Sequence, residues 1–418
     1  MARFLHLADI HLGFDRYDSP ERTKDFFHAL RHVIEQHAIA AAVDFVVIAG
    51  DLFEHRMIQP AILNQAQICL QMLQAAQIPV LAIEGNHDNR PYGTKTSWLR
   101  YLSDWGLLKL LEPGKVADGE PFYAPWDEGT RRGGYIDLPC GVRVLGSSWY
   151  GAAAPSAIEQ VAAAIETLPP GPGQTVLLFH HGLEGQIARY AGALRYSDLL
   201  PLQKVGVDYL ALGHIHKHYA VENWIFNPGS LEANNIEEAA FERGVLLVEL
   251  DAAGVQAELK TDYPQRPVLR LRVTAKGRET VEELQSAAIA AVTQTHLPAE
   301  TQPIVELRID GQVGFDRLEL DTRALQQALQ QRTNALIFLL KYDVGEVAYA
   351  EPLTDEASRL EVEHTVFTDL LAANALYRSR AETLAQGLIE LKDAQLAGES
   401  EATLYAAVEE LLSQSLDT

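Results

Sequence analysis

Five short apolar segments of this chain each end abruptly at polar side chains that are good metal ligands. Segments of this length and apolarity predict strands buried on both faces. Helix-like stretches separate the first three segments, which predicts an α/β fold with a largely parallel inner sheet and helices outside. Because ligands of such sheets bind at the carboxyl ends of the strands, the polar residues are candidates for one functional site. The segments are Phe4–Ala8, Phe45–Ala49, Ile78–Ile83, Val176–Phe179 and Tyr209–Leu212, and the polar residues after them are Asp9, His11, Asp51, Asn86, His87, His180, His214 and His216.

The turn Gly85-Asn86-His87-Asp88 after the third segment carries the most varied chemistry. Gly85 permits a sharp turn and a close approach of other groups to the backbone. Asn86 offers a carbonyl oxygen to a cation, His87 offers an imidazole that can move a proton, and Asp88 can orient that imidazole. A single turn of this composition is often an ordinary polar turn that binds no metal. Five of them at strand ends indicate a site for first-row divalent ions such as manganese, iron or zinc.

The remainder of the chain predicts two further regions after a first domain over residues 1–260. Alternating strands and two helices between residues 266 and 350 predict a small α+β domain. Residues 355–418 are helix-like and poor in glycine and proline, and residues 335–418 carry 5 basic and 16 acidic side chains. Apolar side chains recur at helical spacing in this tail, so its apolar face needs a partner, either the body of the protein or another protein.

Charge and composition limit the function classes. The formal net charge of −23 argues against strong nonspecific nucleic-acid binding by the isolated chain. It does not exclude a nucleic-acid substrate, because bound divalent cations would reverse the sign of the charge at a site. The sequence predicts no signal peptide and no membrane-spanning segment, and its only two cysteines, Cys69 and Cys140, fit a reducing compartment. The expected location is therefore the cytoplasm.

The polar turns resemble the motifs of the calcineurin-like metallophosphoesterase superfamily. The motifs are Asp9-x-His11, Gly50-Asp51, Gly85–Asp88, His180 and Gly213-His214-x-His216. Three further stretches resemble the SbcD-type DNA repair exonucleases, most closely the YhaO-like branch: Ala8–Gly13, Gly50–Phe53 and Asn227–Ser230. The resemblance implies a β-sandwich flanked by helices, with the small α+β unit as a capping domain. It also implies that the acidic tail lies where these proteins bind a coiled-coil ATPase of the SbcC or YhaN type, and that the chain can form a homodimer.

The same resemblance implies a role for each ligand. Asp9, His11 and His216 would hold one divalent cation, and Asn86, His180 and His214 a second, with Asp51 bridging both. Manganese is the preferred ion, with iron, magnesium or zinc as alternatives. A water molecule shared by the cations would attack phosphorus in line, His87 would stabilise or protonate the leaving oxygen, and Asp88 would hold the tautomer of His87.

Several assignments stay open at the level of sequence. His181 is either a support for the site or a solvated neighbour of His180. Some relatives carry a histidine three residues after the bridging aspartate, where this chain has Glu54 followed by His55. Arg189 and Arg195 are candidates for contacts with substrate phosphate, and the alternative is an exposed loop and a helix start.

The leading function is a metal-dependent DNA exonuclease of DNA repair that works with the ATPase. One alternative is a phosphodiesterase or phosphatase for small nucleotides or phosphoproteins, which would need neither the capping unit nor the long tail. A second alternative is a non-catalytic scaffold subunit of a repair complex, which would not need a complete set of metal ligands.

Overall fold

The computed structural model describes residues 1–187, 192–295, 302–346, 359–372, 377 and 380–413. The chain divides into two compact units, Met1–Leu269 with Pro298–Ile304 and Arg270–Leu297 with Val305–Thr418. Two large mixed sheets with helices against them confirm the predicted α/β fold class. Among the described residues, no helix combines the length and the apolarity that a membrane crossing requires.

The first sheet of the larger unit has six strands, with the parallel strands in the middle and at one edge. The strands are β1 (Ala2–Leu7), β2 (Phe45–Ile48), β3 (Val80–Ala82), β4 (Lys109–Leu110), β11 (Val245–Asp251) and β12 (Gly254–Lys260). Their order in the sheet is β12-β11-β1-β2-β3-β4. The run from β1 to β4 is parallel, and β11 and β12 add an antiparallel hairpin beside β1.

The second sheet also has six strands and the same design. The strands are β5 (Tyr135–Asp137), β6 (Val142–Leu145), β7 (Gln174–Phe179), β8 (Tyr209–Leu212), β9 (Tyr219–Val221) and β10 (Ile225–Asn227). Their order is β5-β6-β7-β8-β10-β9, and β6, β7, β8 and β10 are parallel. The carboxyl ends of the parallel strands therefore collect along one edge of this sheet, as they do in the first.

Helices cover the outer face of each sheet. Apolar side chains of the first three helices pack on the first sheet, and those of the next two pack on the second. The helices are α1 (Pro20–Val33), α2 (Pro60–Ala75), α3 (Trp98–Asp104), α4 (Ala154–Glu166) and α5 (Tyr196–Lys204). α1 begins at an N-cap, since the Ser19 hydroxyl accepts the backbone N–H of Arg22, and Pro20 occupies its first turn.

The inner faces of the two sheets meet in an apolar layer that holds the sandwich together. The rings of Phe4 and Phe45 stack with centroids 4.7 Å apart, and those of Tyr209 and Phe226 stack at 4.5 Å. Phe4 also meets Tyr209 edge-on at 5.1 Å, which joins the first sheet to the second. Aromatic pairs of this kind contribute about 0.5–1.5 kcal/mol beyond their area burial.

One histidine lies in this inner layer without belonging to the polar rim. The Nδ1 atom of His6 lies 2.9 Å from the Tyr209 hydroxyl, and its Nε2 atom lies 3.0 Å from the Leu212 carbonyl oxygen. The ring therefore accepts from Tyr209 and donates to Leu212, which requires the neutral form. Burial lowers the pKa of His6 to about 3.

We expect His6 to make the protein less stable in acid. The unfolded chain binds a proton at this position below about pH 6.5, whereas the folded chain binds one only near pH 3, so stability falls as the pH drops through that window. Between pH 7 and pH 5 the expected loss from this residue is about 2 kcal/mol. Urea unfolding of wild type and His6→Gln at both pH values measures it, because glutamine keeps a donor and an acceptor but does not titrate. An equal loss in both proteins would contradict the prediction.

The part of the smaller unit described before residue 347 contains a three-stranded sheet and two helices. Its sheet has the order β13-β14-β15, with β13 at Val268–Lys276, β14 at Ile304–Val313 and β15 at Ile337–Glu346. Helices α6 (Val281–Gln294) and α7 (Thr322–Thr333) bury leucine side chains such as Leu284 and Leu329. The predicted strand at Val347–Ala350 lies outside the described residues. Whether this unit divides into a capping domain at 266–350 and a tail at 355–418 stays a prediction.

The described residues of the acidic region form three further helices. They are α8 (Arg359–Ala372), α9 (Ala381–Leu396) and α10 (Glu401–Ser413). α9 lies against both α8 and α10 and buries Leu384 and Ile389. Other apolar side chains of the same helices are exposed, among them Leu360, Val366, Leu370 and Tyr405. The helices thus leave apolar surface that they do not cover themselves.

Candidate metal centre

Both sheets contribute polar residues to the same rim of the sandwich. Hydrogen bonds connect the turns to one another: the backbone N–H of Asp9 donates to the Gly50 carbonyl at 3.1 Å, and the N–H of His214 donates to both Asp9 carboxylate oxygens at 3.0 and 2.8 Å. The first of these bonds joins β1 to β2, and the second joins the first sheet to the second. The residues come directly after β1 (Asp9, His11), β2 (Asp51), β3 (Asn86, His87), β7 (His180) and β8 (His214, His216).

Four of these residues have left-handed backbone conformations. The φ angles are 50° at Asp9, 51° at His11, 54° at Asp51 and 76° at His214. Aspartate and histidine tolerate this region better than most residues, but each still costs roughly 1–3 kcal/mol. Backbone strain of this kind is concentrated at functional sites, where the surrounding structure holds side chains in a required direction.

The first cluster consists of Asp9, His11 and His216. One ligand atom of each lies within 4.8 Å of the others. The Nε2 atoms of His11 and His216 are 3.2 Å apart, and each lies 3.9 Å from Oδ1 of Asp9. Asp9 and His11 are buried, so water does not screen this group.

Each histidine of the first cluster has a glutamate carboxylate next to its Nδ1 atom, on the side of the ring away from the cluster. The Nδ1 atom of His216 bonds to Oε1 of Glu238 at 3.0 Å, and the Nδ1 atom of His11 lies 2.8 Å from Oε2 of Glu54. The second contact is close but not aligned as a hydrogen bond, and both of its atoms are otherwise unpaired. A carboxylate oxygen thus lies within 3.0 Å of each Nδ1 atom, and a proton held on Nδ1 would leave each Nε2 lone pair facing the cluster.

The second cluster consists of Asp51, Asn86, His180 and His214. The Nε2 atom of His180 lies 3.1 Å from Oδ2 of Asp51 and 3.2 Å from Oδ1 of Asn86. The Nδ1 atom of His214 lies 2.8 Å from the same Asn86 oxygen. The outer nitrogen of His180, meaning the ring nitrogen on the side away from the cluster, is Nδ1, and it lies 2.7 Å from the carbonyl oxygen of Ala49.

Opposite charges shift the pKa values within the clusters. Burial disfavours charge on His180, but Asp51 and Asp9 raise the pKa of its imidazole to about 9. Burial also opposes ionisation of Asp51, yet His180 holds the pKa of that carboxyl well below its usual range. At His216 the carboxylates of Glu238 and Asp9 overcome burial and raise the pKa to about 9. Burial and the neighbouring His180 lower the pKa of His214 to about 3.

These donor sets suit divalent cations. Imidazole nitrogens, carboxylates and one amide oxygen are the ligands that manganese, iron and zinc accept. The Nε2 atoms of His11 and His216 lie only 3.2 Å apart, so either a proton or a cation must lie between them. A cation would take the place of the protons on His180 and His216.

The structure corrects the predicted partner of His87. We expected the Asp88 carboxylate to hold the imidazole, but the Nδ1 atom of His87 lies 2.6 Å from the Glu54 carbonyl oxygen. Asp88 is buried and accepts the backbone N–H groups of Leu52, Phe53 and Gly85 at 3.1–3.2 Å. Its carboxylate therefore joins the two turns that carry Asp51 and His87, because a carboxylate satisfies several backbone donors at once.

Two glycines of the motifs are required by close contacts. A Cβ atom at Gly85 would lie 2.1 Å from Oδ1 of Asp51, and one at Gly50 would lie 2.3 Å from Nδ1 of His180. Gly50 also has a φ of 95°. Any larger residue at either position would displace a predicted metal ligand.

The other candidates differ in their surroundings. His181 is buried, with its ring nitrogens 3.2 Å from the carbonyl oxygens of Gly182 and Gly151, so it is not a solvated neighbour. Arg195 is the N-cap residue of α5 and pairs with Asp198 at 2.9 Å. This is the position at a helix start that the sequence left open as the alternative to a phosphate contact. Arg189 lies outside the described residues. Substrate contacts by either arginine stay predictions.

Comparison with known proteins gives the family. Residues 2–218 match the model of the calcineurin-like phosphoesterase family, and all seven predicted metal ligands fall within this range. The match covers more than half of the chain. The chain therefore belongs to the calcineurin-like phosphoesterase family, and the predicted superfamily is confirmed.

The chain is also similar to archaeal proteins described as DNA double-strand break repair protein Mre11. It is 32% identical to the protein of Archaeoglobus fulgidus over 252 residues, which are 57% of this chain and 52% of that one. It is 26% identical to the Methanosarcina acetivorans protein, covering 91% of this chain and 59% of the relative. The Haloferax volcanii protein is 27% identical, with 97% and 86% covered. The chain thus spans somewhat more than half of the first two relatives.

Proposed function

We propose that this chain is a divalent-metal-dependent DNA exonuclease, a phosphodiesterase that acts in DNA repair. The observation that carries the proposal is the convergence of potential metal ligands from both sheets at one rim of the sandwich. Asp9, His11 and His216 would hold one cation, Asn86, His180 and His214 the other, and Asp51 would bridge them. This rim also combines strand ends from both sheets, residues with left-handed backbone and buried carboxylates.

The polar groups of the site have different proposed roles in phosphodiester hydrolysis. Divalent cations would lower the pKa of water and neutralise charge on the phosphate. His87 lies next to the first cluster, with its ring centroid 4.9 Å from that of His11. Because its Nδ1–H donates to the Glu54 carbonyl, its Nε2 atom is left to exchange a proton with the leaving oxygen. Asp88 keeps the two turns in place through backbone hydrogen bonds.

DNA is the proposed substrate because three relatives that align with this chain are described as DNA double-strand break repair proteins. The net charge of −23 makes attraction of DNA by the bare chain weak. Attraction then depends on cations at the rim and on a partner that supplies basic surface. Arg195 and Arg189 remain the proposed contacts to substrate phosphate.

A coiled-coil ATPase of the SbcC or YhaN type is the proposed partner. The region α8–α10 presents exposed apolar side chains, including Leu360, Val366 and Leu370, and amphipathic helices with such a face dock on other helices. A homodimer is proposed as well, on the resemblance to the SbcD-type nucleases. Manganese is the proposed ion, since a mixed nitrogen and oxygen ligand set accepts it readily, and iron, magnesium or zinc fit the same donors.

The test is nucleotide release from end-labelled linear DNA with added manganese, for wild type and His87→Gln. We expect wild type to degrade DNA and His87→Gln to be slower by about 10²–10³-fold, because it cannot exchange the proton. Manganese binding should be unchanged in this variant. The control is His28→Gln, which changes an exposed histidine of α1.

Hydrolysis of bis-p-nitrophenyl phosphate, measured in parallel, separates the alternatives. Activity on this diester without activity on DNA would move the substrate to a small nucleotide, or to DNA presented by the ATPase partner. Failure on both substrates with manganese bound would favour the scaffold function. Equal DNA degradation by wild type and His87→Gln would contradict the role given to His87.

A further inference from the structure

The two histidines of the first cluster differ from His180 of the second cluster in the group that lies next to the outer ring nitrogen. In the first cluster, both outer nitrogens face carboxylates, Glu54 behind His11 at 2.8 Å and Glu238 behind His216 at 3.0 Å. In the second cluster, the outer nitrogen of His180 faces a neutral acceptor, the Ala49 carbonyl oxygen at 2.7 Å. A carboxylate behind a metal-bound histidine fixes its tautomer and makes its inner nitrogen a stronger ligand.

Both glutamates are held where they can act on the ring. The side chain of Glu238 is 8% exposed, and its second oxygen accepts the backbone N–H of Asn234 at 2.8 Å. The side chain of Glu54 is 17% exposed. Its Oε2 atom and the Nδ1 atom of His11 are buried, have no hydrogen bond of good geometry and lie 2.8 Å apart.

Glu54 also affects a second residue of the site. Its backbone carbonyl accepts Nδ1–H of His87 at 2.6 Å, while its side chain faces His11. The rings of His11 and His87 are perpendicular, with centroids 4.9 Å apart. A single residue therefore orients one predicted metal ligand and the proposed proton donor.

We propose that Glu54 and Glu238 are positioning residues that make the Asp9–His11–His216 cluster the first of the two to bind a divalent cation. The proposal rests on the proposed function, since it requires both clusters to hold metal. Besides the shared Asp51, three carboxylates would then lie near the first cation, namely Asp9 as a ligand and the two glutamates behind the rings. Glu54 occupies the position where some relatives carry a histidine, so in this chain that position supports a metal ligand.

Manganese titration of the metal-free full chain, followed by electron paramagnetic resonance of the free ion, tests the proposal without an activity assay. Wild type should bind two ions in separate steps. Glu54→Gln and Glu238→Gln should each weaken the tighter step by about 10–100-fold and leave the weaker step in place. Glu237→Gln is the matched control, because it removes an exposed carboxylate from the same short helical segment, Ile236–Ala240.

A second variant assigns the steps. His180→Gln should remove the weaker step and keep the tighter one, and loss of the tighter step would overturn the proposal. Glu238→Asp, which restores the charge, should regain part of the affinity if the glutamate acts through its carboxylate. Urea unfolding of each variant at saturating manganese shows whether it is folded.

The outcomes separate this inference from the function on which it rests. If Glu54→Gln and Glu238→Gln both bind two manganese ions with the affinities of wild type, only the inference is overturned. A wild-type chain that binds no manganese, iron, magnesium or zinc would overturn both.

Discussion

Changing Asp51 to asparagine should slow metal-dependent phosphodiester hydrolysis by about 10⁴-fold, equivalent to about 5 kcal/mol of transition-state stabilisation. The substitution keeps the shape of the side chain but removes its negative charge. The Oδ2 atom of Asp51 lies 3.1 Å from His180, and its Oδ1 atom accepts the backbone N–H of His87 at 2.8 Å. Because His180 holds the pKa of this carboxyl well below its usual range, the charge is present at neutral pH.

The variant should also lose at least one bound ion, which metal analysis of the dialysed protein measures beside the rate. The control is Asp251→Asn, because the Asp251 side chain accepts a turn hydrogen bond from Ala253 that asparagine can accept as well. Full activity of Asp51→Asn with two bound ions would show that this carboxylate is not the bridge. Low activity with two bound ions would place the defect in the orientation of His87.

Replacing Arg22 by leucine should destabilise the larger unit by about 3–5 kcal/mol. Arg22 is buried in α1 and pairs with Glu232 at 2.8 Å and Asp25 at 3.0 Å. Its second nitrogen donates to the Ala233 carbonyl at 2.6 Å, and its guanidinium lies 4.8 Å from the centre of the Phe26 ring. Leucine would leave the Glu232 carboxylate buried without this cation. Burial already raises the pKa of Glu232.

Guanidinium unfolding of wild type, Arg22→Leu and Arg31→Leu measures the effect. Arg31 is an exposed arginine of the same helix in an i,i+4 pair with Glu35, so its loss should cost less than about 1 kcal/mol. The double variant Arg22→Leu/Glu232→Gln should recover part of the stability, because no unpaired buried charge remains. A cost at Arg22 as small as that at Arg31 would show that the buried pair contributes little.

Much of the fold could be predicted from local patterns. The apolar runs near Phe4, Phe45 and Tyr209 became strands because a segment that is apolar on both sides must be covered on both sides. Helices such as α2 and α7 follow their apolar spacing. β12 (Gly254–Lys260) was missed although its apolar and polar residues alternate as in a half-buried strand, because it lies at the predicted domain boundary. The short helix α3 (Trp98–Asp104) was missed as well, because seven residues carry little periodic signal.

The candidate site could be predicted in composition but not in its interior contacts. Its residues are visible in the sequence because each follows an apolar run at once, and parallel strands deliver their carboxyl ends to one edge. Glu238 could not be found in this way, since it lies in a short helical segment 22 positions after His216. The role of Asp88 was wrong for a related reason, because its partners are backbone N–H groups that carry no sequence signal.

The family, the fold class and the set of candidate ligands could therefore be predicted from the amino-acid sequence, because they follow from periodicity and from short motifs within single turns. Which atoms face one another depends on contacts between distant segments of the folded chain. Only the packing of the two sheets places Asp9 against His214. Glu54 faces His11 because their strands β1 and β2 are neighbours in the first sheet, and Glu238 reaches His216 from a segment 22 positions later in the chain. The charge state and the direction of each imidazole depend on these contacts between distant segments, so no local pattern could have predicted them.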